Sequence, residues 1–153
     1  MRVVDILKEE LIVPQLQSQT KTEVLRELAF HLAEHHPEIN PEQLVTVLLE
    51  RERLGTTAIG EGIAIPHGKL PGLNGVVAAF GRSVKGVDCQ SLDGAPTKIF
   101  FLLVAPEDSA GIHLKALARV SRLLKDRGFR ERLLSVEAQA ELHRVICEED
   151  AKL

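Results

Sequence analysis

Apolar residues recur at helical spacing in two consecutive segments of the first third of the chain. In the first segment, Thr20 and Glu23 form a capping box, and the apolar positions that follow end before Pro37. In the second segment, Asn40 is a candidate N-cap and Pro41 occupies the first helical position. We therefore predict two amphipathic helices, the second of which ends just before a glycine-rich stretch.

Three other segments have the pattern of strands. The run 98–105 is almost entirely apolar, which is typical of a central strand covered on both faces. The run 76–80 is predicted as a second buried strand, and 11–16 as an edge strand, because Pro14 lacks a ladder donor. A central strand that is covered on both faces needs a helix layer on each side. We therefore predict an α/β fold, with a β-sheet flanked by helices on both faces.

Weaker patterns complete the prediction of elements. Residues 4–10 favour a short opening helix, and 84–94 is predicted to be irregular. Helical spacing returns over 114–128 and, as a shorter piece, over 129–134. Ser135 is predicted to cap a last helix, which ends in a charged and frayed terminus.

The glycine-rich stretch 55–68 contains four glycines and a short apolar run that ends on Pro66 and His67. Glycine permits conformations and close approaches that a Cβ would forbid, and proline biases the residue before it toward extended structure. We expect His67 at the end of a strand, with the small Gly68 beside it leaving the ring accessible to another macromolecule. An imidazole there is a candidate nucleophile or proton carrier.

Two common glycine motifs do not fit this stretch. Gly55 and Gly60 have the spacing of a P-loop, but Glu61 stands where the phosphate-binding lysine is needed. Gly60 and Gly62 begin like a dinucleotide fingerprint, but no third glycine follows at the required place and the run enters a strand. On these residues alone, the preferred interpretation is a tight turn that leads into a strand, with His67 as an ordinary surface histidine at its end.

Composition narrows the class of protein. A chain of 153 residues with 44% hydrophobic and 27% charged residues is long enough for one globular domain, which we predict to span 1–153. The net charge of −3 gives no electrostatic reason to expect nucleic acid or a membrane surface as a partner. No apolar run has the length of a bilayer span and no signal peptide opens the chain, so we expect a cytoplasmic protein without membrane insertion.

Candidate metal ligands are sparse. Cys89 and Cys147 have no partners at metal-ligand spacing, and we expect both to be reduced. His31 and His35 are four residues apart on the first predicted helix and can face one ion, but no third ligand follows at a recognisable spacing. Solvated histidines near a helix C-terminus are the favoured interpretation of this pair.

Two blocks of sequence resemble a known family. Arg51–Thr57 followed by Ile59–Lys69 resembles the phosphorylation-site signature of the fructose/mannitol-type enzyme IIA family of the bacterial phosphoenolpyruvate-dependent phosphotransferase system. Phe100–Pro106 with His113–Leu117 resembles the second block of that family. The resemblance is collinear over nearly the whole chain and is greatest to the free-standing nitrogen-regulatory IIA proteins. It implies a mixed β-sheet with helices on both faces, the phosphotransferase/anion-transport-protein-like fold.

The resemblance also implies roles for particular residues. His67 would accept a phosphoryl group from a histidine-containing phosphocarrier protein, which is itself charged from phosphoenolpyruvate through an enzyme I. His113 would donate a hydrogen bond to the phosphoryl oxygens, and Arg51 would bind them with its planar guanidinium. A nucleophilic imidazole must be neutral with one nitrogen free. The acceptor on its other nitrogen is either a backbone carbonyl or Glu61.

Lesser roles are predicted for three more residues. Thr57 and Gly68 are expected to line the pocket through a hydroxyl and a backbone donor, and Arg53, where the family more often has lysine, is expected to support the site. This chemistry requires no metal, nucleotide or organic cofactor. The surface around His67 is then a docking face for a protein. Candidates for its apolar rim, each of which could equally belong to the core, are Ile59, Leu70 and Leu73.

Three functions follow from this reading. In the favoured one, the phosphorylation state of His67 controls binding to other proteins, such as sensor kinases or transporters, because the chain ends soon after its last predicted helix without a fused transport domain. In the second, a sugar-specific IIA passes phosphate to a IIB domain. The third is a binding module without transfer chemistry, against which the presence of Arg51, His67 and His113 argues.

Overall fold

The computed structural model describes residues 1–153, which form five α-helices and six β-strands. In chain order the elements are two turns of 3₁₀ helix (Val3–Asp5 and Glu9–Leu11), β1 (Ile12–Val13), α1 (Lys21–His35), α2 (Pro41–Arg53), β2 (Ala58–Gly60), β3 (Ile63–Ala64), β4 (His67–Leu70), β5 (Val77–Val87), β6 (Thr97–Pro106), α3 (Ala110–Leu124), α4 (Arg127–Ser135) and α5 (Gln139–Asp150).

The strands form one mixed sheet in the order β1-β5-β6-β3-β2, and β4 also pairs with β6. β6 lies antiparallel to β5 on one side and parallel to β3 and β4 on the other. Its residues 99–105 are all buried, as expected of a central strand. β1 pairs only with β5, so the edge strand predicted around residues 11–16 is confirmed.

Consecutive residues of β5 show that helices cover both faces of the sheet. A Cβ on Gly81 would lie 2.9 Å from Leu16 and 3.0 Å from Leu28 of α1. Because side chains alternate along a strand, Arg82 points to the opposite face. There its guanidinium donates hydrogen bonds to carbonyls near the end of α4, including that of Leu133 at 2.8 Å. The predicted α/β fold is therefore confirmed.

The starts of the two long helices predicted in the first third of the chain are also confirmed. The Thr20 side chain accepts a hydrogen bond from the Glu23 amide at 3.2 Å, and that of Asn40 accepts one from the Gln43 amide at 3.1 Å. Pro41 is the first residue of α2, where its missing amide proton is not needed. Asn40 and Pro41 fix where α2 begins, and the length of this helix then places residues 51–53 in its last turn.

Three local predictions are wrong. Residues 4–10 form no α-helix. They belong partly to the 3₁₀ turns Val3–Asp5 and Glu9–Leu11 and partly to the segment between these turns. The segment after 84 is not irregular from its start, because β5 continues to Val87, which is buried and pairs with Thr97. Ser135 is the last residue of α4 and not a cap, since its hydroxyl donates to the Arg132 carbonyl at 3.0 Å and α5 starts after Ala138.

The predicted frayed terminus is wrong as well. Asp150, the last residue of α5, has only 1% of its surface exposed. Its carboxylate accepts hydrogen bonds from the Val3 amide at 2.8 Å and from Nε of Arg119 at 2.7 Å. A buried carboxylate that is paired and hydrogen-bonded is stable in the interior, and this one joins α5 to α3 and to the first turn of the chain.

Two further findings bear on the compositional expectations. None of the helices combines the length and the apolar character that crossing a bilayer would need. Cys89 is buried and Cys147 is partly buried, and neither forms a disulfide.

Candidate active site

β3 and β4 run one after the other along the same side of β6 and are separated by Ile65 and Pro66. The Pro66 carbonyl still accepts a hydrogen bond from the Leu103 amide at 3.0 Å, so the chain stays against β6 through the break. His67 is therefore the first residue of β4, opposite Leu103, and not the end of the preceding strand as predicted. The pairing with β6 holds its backbone in place.

The His67 ring is oriented by its own backbone. Its Nδ1 lies 2.9 Å from the carbonyl oxygen of Ile65, two residues earlier. A carbonyl only accepts, so Nδ1 carries the proton and Nε2 keeps its lone pair. Of the two acceptors left open by the sequence, the backbone carbonyl is the one present. The Glu61 carboxylate instead pairs with Arg130 at 3.1 Å, and its side chain is 73% exposed.

Arg51 reaches the other nitrogen of the same ring from the last turn of α2. Its Nε donates to Nε2 of His67 at 3.3 Å, and its Nη1 donates to the Gly55 carbonyl at 2.9 Å. The Gly55 carbonyl and the end of α2 therefore fix the position of the guanidinium. The result is a permanent cation beside the lone pair of His67.

His113 reaches the site from a helix that follows His67 in the sequence. It lies in the first turn of α3, and the centroid of its ring is 5.4 Å from that of His67. Only 7% of its surface is exposed, and its Nδ1 has no hydrogen-bond partner. Buried polar atoms nearly always have a partner in folded proteins, so the unpartnered Nδ1 is an exception, and it belongs to a ring that lies beside that of His67.

Both histidines are held in the neutral form. Burial lowers the pKa of His67; the Ile65 carbonyl opposes this, Arg51 lowers the pKa further, and Glu52 raises it. Burial also lowers the pKa of His113, and the neighbouring His67 and Lys69 add to the effect. Near neutral pH, His67 therefore presents an uncharged ring whose Nε2 carries no proton and accepts only a long hydrogen bond from Arg51. An unprotonated nitrogen is what a nucleophile requires.

Glu52 is a residue of this region that sequence reasoning missed. Its side chain is 7% exposed and forms an ion pair with Lys21 of α1 at 2.7 Å. It accepts a hydrogen bond from the Thr57 amide at 3.0 Å and a second one from the Thr57 hydroxyl. Thr57 therefore does not offer its hydroxyl to the pocket as predicted. Together these contacts hold the end of α2, which carries Arg51, to the start of the glycine stretch.

Two other predicted residues also have explanations that differ from the expected ones. A Cβ on Gly68 would lie 2.6 Å from Cγ1 of Val47, so a glycine is needed because α2 packs directly on β4. That close packing, and not the access of a partner, accounts for the residue. Arg53 is exposed and makes no side-chain hydrogen bond or ion pair.

Apolar side chains near the site divide into core and surface. Leu70 and Leu73, predicted as rim candidates, are buried in the core, whereas Ile59 is 48% exposed. Leu54 follows the last turn of α2 with 85% of its surface exposed, and Ile112, which precedes His113, is 49% exposed. Exposed apolar side chains beside reactive groups suit a transient protein contact.

The arrangement is suited to accepting an anionic group. A neutral imidazole supplies the attacking lone pair, a guanidinium supplies positive charge beside it, and a second imidazole supplies an unpartnered nitrogen. The one group of three potential metal-ligand side chains in the structure includes neither His67 nor His113. The chemistry that these residues support is nucleophilic transfer to Nε2 of His67.

Comparison with known proteins agrees with this geometry. The family model described as "Phosphoenolpyruvate-dependent sugar phosphotransferase system, EIIA 2" matches residues 5–149. A nitrogen regulatory protein from Bradyrhizobium diazoefficiens is 45% identical over 141 residues, which cover 92% of each chain. The fructose-specific EIIABC component of Bacillus subtilis is 35% identical over 150 residues, which cover 98% of this chain but 24% of that protein.

Solved structures show the same fold. Nitrogen regulatory protein IIA-Ntr from Neisseria meningitidis superposes with a TM-score of 0.87 at 28% identity, covering 94% of this chain and 98% of that one. IIA mannitol from Escherichia coli superposes with a TM-score of 0.76 at 23% identity, covering 91% of this chain and 97% of that one. The second likeness concerns the fold alone.

Proposed function

Since this chain belongs to the EIIA 2 family of the phosphoenolpyruvate-dependent sugar phosphotransferase system, we propose that it is a phosphohistidine relay protein in which Nε2 of His67 is the accepting atom. The donor is the phosphohistidine of a histidine-containing phosphocarrier protein. The observation that carries the proposal is that the two nitrogens of the His67 ring have different environments. Nδ1 donates a hydrogen bond to the Ile65 carbonyl, and Nε2 keeps its lone pair beside Arg51.

The transfer exchanges one nitrogen–phosphorus bond for another. The Nε2 lone pair forms a bond to phosphorus, and the bond between phosphorus and the donor imidazole breaks, returning its electron pair to that ring. No proton has to leave His67, because Nδ1 keeps its proton throughout. The phosphorylated ring carries the positive charge of an imidazolium, and the Ile65 carbonyl, 2.9 Å from Nδ1, stabilises it.

The surrounding groups position and stabilise the phosphoryl group. In the unphosphorylated site Nε of Arg51 donates to Nε2, and once that lone pair is used in a bond to phosphorus the guanidinium donors turn to the phosphoryl oxygens. His113 supplies a second donor from the first turn of α3, where the partial positive charge of a helix N-terminus also favours an anion. Phosphoryl transfer depends mainly on such positioning and charge stabilisation.

The output that we propose is regulatory: phosphorylation of His67 would change the binding of this protein to others, such as sensor kinases or transporters. Similarity to the nitrogen regulatory protein of Bradyrhizobium diazoefficiens over 92% of both chains supports this reading. The second candidate is a sugar-specific IIA that passes phosphate to a IIB domain. The similarity to the fructose-specific component of Bacillus subtilis supports that alternative.

The test is reconstitution with phosphoenolpyruvate, enzyme I and phosphocarrier, followed by intact-mass measurement. We expect one phosphoryl group on the wild-type protein, none on His67→Ala, and normal labelling of the matched variant His143→Ala. Nitrogen chemical shifts of the labelled ring identify the phosphorylated atom. Full labelling of a folded His67→Ala variant would overturn the proposal. Transfer onward to an isolated fructose-type IIB domain would favour the sugar-specific alternative.

A further inference from the structure

A second cluster of histidines lies on α1, outside the site described above. His31 and His35 are one helical turn apart, and Glu34 lies between them in the sequence. Residues spaced by three and four positions share one face of a helix. One nitrogen of each imidazole and one oxygen of the Glu34 carboxylate lie within 4.8 Å of one another. The third ligand that the sequence pattern lacked is therefore present on the same helix.

Both rings are oriented by backbone carbonyls. Nε2 of His31 lies 2.7 Å from the carbonyl oxygen of Glu10, and Nδ1 of His35 lies 3.1 Å from that of His31. Because a carbonyl only accepts, each of these nitrogens carries a proton. Nδ1 of His31 and Nε2 of His35 therefore keep their lone pairs. Metal-binding histidines characteristically donate their other ring N–H to a carbonyl or carboxylate in this way.

We propose that His31, Glu34 and His35 form a binding site for a divalent transition metal ion of the zinc type. Two imidazole nitrogens and one carboxylate oxygen are a suitable ligand set for zinc, with water in the fourth position. Magnesium and calcium are disfavoured, because they prefer oxygen ligands only. The site shares no residue with the proposed phosphoryl-transfer site and does not depend on its function.

Closing the cluster around an ion requires only small side-chain movements. Tetrahedral zinc with ligand distances near 2.1 Å places neighbouring ligand atoms about 3.4 Å apart. Glu34 and His35 are exposed, so their side chains rotate without disturbing the core, while His31 is partly buried and held by Glu10. The ion would join the exposed side of α1, through His31, to the 3₁₀ turn Glu9–Leu11.

The experiment is a zinc titration of untagged protein against a chromophoric chelator, with the thermal midpoint measured in parallel. His67 and His113 lie close enough to bind zinc themselves, so every variant is made in a His67→Ala background. We expect one ion per chain and a rise in the thermal midpoint with zinc concentration. Replacing zinc with Co²⁺ should give the intense visible absorption of four-coordinate cobalt.

Two variants and one control locate the site. Loss of even an outer partner of a metal ligand weakens binding about 10–100-fold, so His35→Gln should weaken it at least about tenfold, and Glu34→Gln should weaken it measurably. His36→Gln is the matched control, because His36 adjoins the cluster without belonging to it and pairs with Glu38. Zinc affinity in His35→Gln equal to that of its parent, or an equal loss in His36→Gln, would overturn the proposal.

Discussion

The Nε–H of Arg51 is directed at the one nitrogen of His67 that carries no proton, with 3.3 Å between Nε and Nε2. A cation in this position disfavours protonation of the ring and keeps Nε2 unprotonated. The opposite nitrogen is occupied by the Ile65 carbonyl. The two contacts together select one tautomer and one charge state of the ring.

The first prediction concerns the titration of His67. Because burial and Arg51 both lower its pKa, the ring should protonate only below the usual value of about 6.5. Arg51→Gln removes a positive charge and should raise this pKa, whereas Glu52→Gln removes a negative charge and should lower it further. Proton chemical shifts of the ring followed against pH give each value. A shift of the same sign in both variants would contradict the electrostatic account.

The same pKa shift predicts how stability depends on pH. Between the lowered pKa of the folded protein and the ordinary value, the unfolded chain binds more protons at His67 and His113 than the folded chain does. The contribution of these two residues to the free energy of unfolding should therefore fall as pH falls through that window. Urea denaturation of wild type and of a His67→Ala/His113→Ala double variant, compared from pH 7.5 to pH 5, isolates their share. Parallel curves would show that the two rings do not contribute.

The third prediction concerns His113 as a donor to the phosphoryl group. A hydrogen bond to a charged group is worth about 1.5–3 kcal/mol, so His113→Ala should slow phosphorylation of His67 by roughly 10–100-fold. The measurement is the initial rate with limiting phosphocarrier, on protein whose folding has been checked by circular dichroism. His113→Gln keeps an N–H donor and should recover part of the rate. A wild-type rate in folded His113→Ala would remove this residue from the mechanism.

The fourth prediction separates a phosphate contact at Arg51 from a helix-end charge. Lysine keeps the charge but lacks the planar set of donors, so Arg51→Lys should slow transfer while leaving the thermal midpoint nearly unchanged. Arg53→Lys is the matched control, since Arg53 lies in the same turn and has no partner. It should change neither quantity. Equal transfer rates in both variants would show that the planar donors of Arg51 do not bind the phosphoryl group.

The fifth prediction tests the close packing of α2 on β4. A methyl group on Gly68 would meet Cγ1 of Val47 at 2.6 Å, so Gly68→Ala should destabilise the protein by about 1–3 kcal/mol and displace the end of α2. Adding Val47→Ala removes the opposing methyl group and should recover both stability and transfer. Gly75→Ala has open space around it and should be nearly neutral. Failure of the second substitution to rescue the first would rule out this contact as the cause.

The sequence predicted those parts of the fold that local chemistry specifies. The Thr20 and Asn40 caps fix the starts of α1 and α2, and the apolar run 98–105 identifies the central strand. β5 was predicted too short because its second half contains Gly86, with φ of +85° and a local shift in the pairing to β6. Pairing with β6, and not local propensity, keeps that half in the sheet.

The site was predicted unevenly for a similar reason. The two histidines and Arg51 could be identified because they stand in recognisable motifs. Glu52 could not, because its ion pair with Lys21 joins residues 31 positions apart on different helices. The role of a buried carboxylate depends on the partner that folding brings to it.

The contacts of Asp150 affect how the two ends of the chain detach from the rest of the protein. Its carboxylate binds the amide of Val3 at one end of the sequence and the guanidinium of Arg119 on α3. If α5 were to detach, the Val3 amide and the Arg119 guanidinium would lose their partner. If the first turn of the chain were to detach, the Asp150 carboxylate would lose a donor. Fluctuations of the two ends of the sequence are therefore coupled, and the first and last segments protect their amides from exchange with solvent as one cooperative unit.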